Sequence, residues 1–176
     1  VKGITNSNIF TAMAVMGSKF SVNVGTLMRS AYIYGIDEIV TIGARYKRMA
    51  TDTCNTVKHV PIIEKKGING DWLRYAEEKN LTIVAIECPQ GDEIETIPLY
   101  EYEHPERAMY LLGAEDRGLS DHILRCCDAA VKIPSTRPYS LNVAVAGTLA
   151  LYDRYVKLSS KYLYQEYIRS ATTQRR

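Results

Sequence analysis

The 176-residue chain sets 22 Lys and Arg against 20 Asp and Glu, a formal net charge of +2, with 46% hydrophobic and 24% charged residues. This length suits one domain that buries roughly two-thirds of its unfolded surface without metal or disulfide support, and no run of about 18 apolar residues offers a membrane span. A pI near 8.3 falls short of the strongly basic balance of many nucleic-acid binders, so charge alone does not name a partner.

The opening VKGITNSN lacks the charged and apolar regions of a signal peptide, which makes the cytoplasm the expected compartment. The run from Ile9 to Met16 is apolar and uncharged and predicts a strand buried on both faces. After GSKFSVN, Ser18 or Ser21 can cap a helix from about Val22 to Tyr34, with Gly35 as its stop. Asn23, Thr26, Arg29 and Ser30 share an arc of roughly 120° on it, either a solvated face or a functional one. Glu38 to Gly43 is the next strand, completing a right-handed βαβ unit.

A polar loop follows in which Arg45, Lys47 and Arg48 flank Tyr46. At a strand's C-terminal end such a mixture suits phosphates and stacked bases, and it also reads as a solvated charge cluster. HVPII is a short strand or extended segment, and Gly70 to Asn80 an amphipathic helix capped by Asp71. Leu81 to Glu87 is a third buried strand. From Gly91 to Glu106 the chain carries six acids and no Lys or Arg, and is expected to face away from any polyanion. AMYLL then runs as a strand into a turn with Gly113 and Gly118 and a helix capped by Ser120 or Asp121. Ala129 to Pro134 is the last strand. The alternation predicts an α/β fold, a mostly parallel sheet with helices on both faces.

Ser140 reads as the N-cap of the following helix, which is apolar on nearly every side from Leu141 to Tyr152. One sheet covers one face of such a helix, so its other face is expected against a second copy, with Ala144, Gly147 and Ala150 as a stripe for close approach. Residues 1–158 are expected to form the domain and 159–176 a basic, tyrosine-rich tail. Cys54, Cys88, Cys126 and Cys127 form no C-x-x-C pair and, with His59, His104 and His122 scattered, read as reduced, mostly buried thiols with no metal site.

Three strand ends converge on polar or glycine-rich turns: after Glu87, at GAEDRG, and at IPSTRPYS. In a parallel sheet they lie at one edge and form a cleft. Neither G-x-x-x-x-G-K nor G-x-G-x-x-G occurs, nor a G-x-S-x-G elbow, so neither an ordinary nucleotide site nor a hydrolase nucleophile is signalled.

Three motifs together resemble the SpoU (TrmH-like) branch of the SPOUT methyltransferases. They are N-x-G-x-x-x-R on Asn23, Gly25 and Arg29; G-x-E-x-x-G-L on Gly113, Glu115, Gly118 and Leu119; and I-P followed by S-L-N-V on Ile133, Pro134, Ser140, Leu141, Asn142 and Val143. Ser135 departs from the Met that relatives often carry, and Pro138 stiffens the third loop. The resemblance implies a deep trefoil knot in the C-terminal part of the sheet and a homodimer. It implies S-adenosylmethionine held by Ile86, Gly113, Ile133 and Leu141, and methyl transfer to a ribose 2′-hydroxyl of RNA. By the same resemblance Asn23, Arg29, Glu115, Ser140 and Asn142 shape the catalytic site, with Arg29 as base, alkoxide stabiliser or phosphate clamp. Contact with RNA is expected from Arg45, Lys47 and Arg48 and from the tail, with tRNA favoured over rRNA. The competing readings are a non-catalytic RNA-binding protein that kept the fold and an unrelated doubly wound enzyme of small molecules.

Overall fold

The computed structural model describes residues 8–17, 21–43, 50–67, 70–89, 93–114, 116–137 and 139–173. The chain alternates strands and helices: β1 (Phe10–Met16), α1 (Ser21–Ile33), β2 (Glu38–Ile42), a 3-10 turn at Thr56–Lys58, β3 (Ile62–Lys65), α2 (Asp71–Glu78), β4 (Thr82–Ile86), β5 (Ile97–Pro98), β6 (Arg107–Leu112), α3 (Asp121–Leu124), β7 (Ala129–Lys132) and α4 (Val143–Thr173). The strands form one sheet in the order β3-β2-β1-β6-β4-β7-β5. Every pairing is parallel, with Met13 beside Ile39 and Tyr110, and Ala85 beside Leu111 and Ala130.

The near-continuous apolar strands are explained by a sheet covered on both faces. Side chains alternate in β1: Met13 and Val15 join Leu27 and Met28 of α1 and Ala144 and Leu151 of α4 in one core. Ala12, Ala14 and Met16 point the other way, toward Trp72 and Tyr75 of α2 and Ile123 and Leu124 of α3. The expected parallel α/β architecture is therefore present.

Several details differ from expectation. The N-cap of α4 is Asn142, not Ser140: the Asn142 Oδ1 accepts the Ala144 N–H at 2.9 Å, and its carbonyl accepts the first helical bond, from Ala146 N–H. The stripe of Ala144, Gly147 and Ala150 faces inward, and a Cβ on Gly147 would lie 2.5 Å from Leu27 Cδ1 and 2.8 Å from Leu112 Cδ1. Close approach there serves α1 and β6 of the same chain. The outward face carries larger residues, Val145, Leu149, Tyr152 and Val156, each at least 38% exposed. Finally, α2 is capped by the backbone of Gly70, at φ 97°, with Asp71 in its first turn, and β5 inside the acidic stretch is a two-residue edge strand whose Pro98 suits an edge. Helix α4 crosses the position of residue 158 without a break.

Helix α4 is fastened to the sheet by buried polar groups. Arg154, 4% exposed, donates to Thr11 Oγ1 at 3.0 Å, to the Glu106 carbonyl at 2.8 Å and to the Pro105 carbonyl. His104 sits between Tyr110 and Asp153, its Nε2 2.8 Å from Asp153 Oδ2. Burial lowers the His104 pKa to about 4, although Asp153 pulls the other way. This network lies at the entry to β6, whereas the motif loops leave from the opposite strand ends.

Candidate functional site

The C-terminal ends of β4, β6 and β7 open on one cleft. Ile86 and Glu87 border it from β4, Leu112, Gly113 and Gly118 from the β6 turn, and Ile133 from β7, and Ser140 and Leu141 close it before α4. The strand ends are adjacent because β4 lies between β6 and β7 in the sheet, an order that chain sequence does not display.

Glycine is required in the β6 turn. A Cβ on Gly113 would stand 2.2 Å from the Gly118 carbonyl carbon and 2.6 Å from Leu119 N, both backbone atoms. The turn is closed by a bridge between Ala114 and Gly118, with Gly118 N–H donating to the Ala114 carbonyl at 2.8 Å. Gly118 has φ 61°, the left-handed region, and a Cβ there would be 2.6 Å from Glu87 Oε2. The G-x-E-x-x-G spacing thus records two backbone segments in contact.

Glu87 holds this turn against the end of β4. Its carboxylate accepts Leu119 N–H at 2.7 Å and Cys88 N–H at 3.0 Å. Among the described residues bordering the cleft it carries the sole charge. Sequence pattern does not single it out, since one acid after a buried strand reads as an ordinary turn residue. Cys88, expected among buried thiols, is exposed at this cleft, while Cys127 is partly buried and its thiol is pushed up to about 12.

The first and third motifs meet directly: Asn142 Nδ2 donates to Asn23 Oδ1 at 2.9 Å. Asn142 therefore caps α4 with one end of its carboxamide and ties it to α1 with the other. Nearly two turns further on, Thr148 Oγ1 lies 2.8 Å from Ser30 Oγ, so half of the polar face of α1 engages α4. Arg29 is exposed and does not border the cleft of its own chain. Glu115, Arg45, Lys47 and Arg48 lie outside the described residues.

The cleft combines an apolar wall from Ile86, Leu112, Ile133, Leu141 and Val143 with two glycine positions, Gly113 and Gly118. An apolar cleft with few polar groups suits a small organic ligand. Among the described residues no His, Cys, Asp and Glu group suits a metal, and no helix is long and apolar enough to cross a membrane. The His104–Asp153 pair lies at the opposite strand ends and does not border the cleft.

The parallel sheet and the glycine turns of this cleft make an α/β protein whose ligand site lies at the C-terminal strand ends. The SpoU rRNA Methylase family matches residues 12–152, and the chain belongs to that family. An uncharacterized tRNA/rRNA methyltransferase of Archaeoglobus fulgidus is 27% identical over 135 residues, covering 74% of this chain and 57% of that protein. This chain spans about 57–60% of the length of the curated relatives it matches. The Streptomyces viridochromogenes SpoU methyltransferase AviRb, solved with AdoMet, superposes with a TM-score of 0.74 at 20% identity, covering 86% of this chain and 58% of that one. A structure described as giving insight into 2-OH methylation of C/U34 on tRNA superposes with a TM-score of 0.70 at 22% identity, covering 87% and 99%. These structural likenesses establish the fold.

Proposed function

We propose that this chain transfers a methyl group from S-adenosylmethionine to a ribose 2′-hydroxyl of RNA, tRNA ahead of rRNA. The observation that carries the reading is the single cleft into which Ile86, Gly113, Ile133 and Leu141 fall together. Their apolar wall and side-chain-free glycine position fit a nucleoside cofactor, which when bound supplies an activated methyl on a sulfonium. The protein then has to orient that group, hold the ribose and manage one proton.

Arg29 is assigned to the ribose or its phosphate, with Asn23, Ser140, Asn142 and Glu115 shaping the surroundings. A guanidinium has a pKa above about 12 and serves better as a stabiliser of negative charge than as a base. The same reading includes a homodimer packed through the apolar stripe of Val145, Leu149, Tyr152 and Val156, which supports it by its exposure on a single chain. It includes the deep trefoil threading between β6 and α4, supported by the interleaved order β6-β4-β7-β5. Arg45, Lys47, Arg48 and the stretch 159–176 are assigned to RNA contact. The tRNA preference is supported by the neighbour described for tRNA, whose chain is covered almost end to end.

The test is methyl transfer from radiolabelled S-adenosylmethionine to unmodified tRNA and, separately, to rRNA, followed by nucleoside digestion. The expected product is a 2′-O-methylnucleoside in tRNA, with Arg29→Ala lowering the rate by at least about 100-fold. Label on a base refutes the ribose assignment; transfer undiminished by Arg29→Ala refutes the role of that residue.

A further inference from the structure

Away from the cleft, the exposed face of α1 meets the 3-10 turn before β3. Tyr32 and His59 stack there with ring centroids 4.8 Å apart at 27°, and both side chains are exposed. The turn beneath them is rigidly held. Thr56 is fully buried, its N–H donates to Asp52 Oδ2 at 2.8 Å, and its hydroxyl lies 2.6 Å from Asp52 Oδ1 and 3.3 Å from the Met28 carbonyl of α1. Asp52 is itself 5% exposed, so its charge is spent inward on the turn. Across residues 26–36 and 50–61 the other formally charged side chains are Arg29 and Lys58, both cationic and exposed. Arg29 stands one helical turn before Tyr32, so cation and ring share a face.

We propose that Tyr32, His59 and Lys58 form a preformed stacking platform for the RNA substrate, taking a base that flanks the methylated nucleotide. The inference rests on the RNA reading given above. A pre-stacked aromatic pair offers an outer ring face to one further base with little ordering cost, and the adjacent Lys58 suits the phosphate that accompanies it. The buried Asp52–Thr56 clasp fixes the turn that carries His59 to α1 without placing a negative charge at the surface. A second copy of the chain fits this patch poorly. A two-fold contact would bring Lys58 and Arg29 against cations of the partner, and lysine is depleted from interface centres.

The experiment measures binding of unmodified tRNA by fluorescence anisotropy across a salt series, with S-adenosylmethionine affinity by calorimetry and mass by sedimentation. The Tyr32→Ala/His59→Ala variant is expected to bind tRNA at least about tenfold more weakly, with cofactor affinity and sedimentation unchanged. Tyr32→Phe keeps the ring and is expected to bind as the parent does. Lys58→Gln is expected to reduce the salt slope by about one counterion. Unchanged tRNA binding in the double variant overturns the platform, and so does a loss that accompanies a change of sedimentation, which marks the patch as a protein interface. If the double variant does not fold, an unaltered salt slope in Lys58→Gln overturns it instead. A parent protein that binds S-adenosylmethionine and no RNA overturns the substrate reading along with the platform, whereas unchanged variants of an RNA-binding parent overturn the platform alone.

Discussion

Replacing Glu87 by Gln changes almost no volume and tests whether the cleft is held open from beneath. The carboxylate accepts two backbone N–H groups, from Leu119 at 2.7 Å and Cys88 at 3.0 Å. A glutamine has one acceptor oxygen, so it satisfies one of these and turns its own N–H2 toward the other. The loss is one hydrogen bond to a charged acceptor, about 1.5–3 kcal/mol, plus a donor facing a donor. If the closed turn is what binds the cofactor, that loss appears as roughly 10- to 100-fold weaker S-adenosylmethionine binding, since about 1.4 kcal/mol is tenfold. Titration calorimetry reads it, with a thermal melt of the free protein alongside. Gly118→Ala presses on the same carboxylate, its Cβ 2.6 Å from Glu87 Oε2, at a residue with φ 61°. The two changes should therefore combine with less than additive cost. Binding by Glu87→Gln within twofold of the parent would refute the clamp, whatever happens to the melt.

Gly113→Ala forces a Cβ to within 2.2 Å of the Gly118 backbone; with no side chain free to rotate away, calorimetric binding of S-adenosylmethionine should disappear. Asn142→Ala removes both the cap of α4 and the bond to Asn23, and should cost about 1–2 kcal/mol in denaturant unfolding, while Ser140→Ala should leave stability within about 0.5 kcal/mol. The pH dependence of stability follows from His104, whose pKa is near 4 when folded and near 6.5 as a free side chain. A lowered pKa means that the unfolded chain takes up the proton first, so this contribution is intact above about pH 6.5 and falls as pH drops toward 4. Between pH 7.5 and 5 the loss is about 2 kcal/mol, and His104→Gln should flatten that part of the urea-denaturation profile.

The strands and helices were legible because their patterns are local. Uncharged runs such as AMAVM and LTIVAI announce strands covered on both faces, and the glycines and caps between them mark the turns. The candidate cleft was traceable by a different route: Gly113, Ile133 and Leu141 stand within the motifs that carry the family resemblance, and the structure brings them together with Ile86. Ser140 was misread because Ser before an apolar run is a good cap, whereas the helix begins at Val143 once the Asn142 carboxamide reaches Ala144 and Asn23. The small-residue stripe was assigned to the wrong neighbour for a related reason. A run of Ala and Gly records that something approaches closely, and Leu27 and Leu112 of the same chain do so.

Sequence by itself determined the class of fold, because hydrophobic period and glycine spacing are properties of short segments, and its motif resemblance named four residues, Ile86, Gly113, Ile133 and Leu141, that the structure finds around one cleft. Tertiary structure alone decided that β4 lies between β6 and β7, that Glu87 reaches from one loop to Leu119 of another, and that Tyr32 meets His59 over a buried Asp52–Thr56 clasp. Each of these joins groups more than 25 residues apart or depends on the order of strands in the sheet. Such contacts form when the packed core fixes where each segment stands, and no local pattern carries that information.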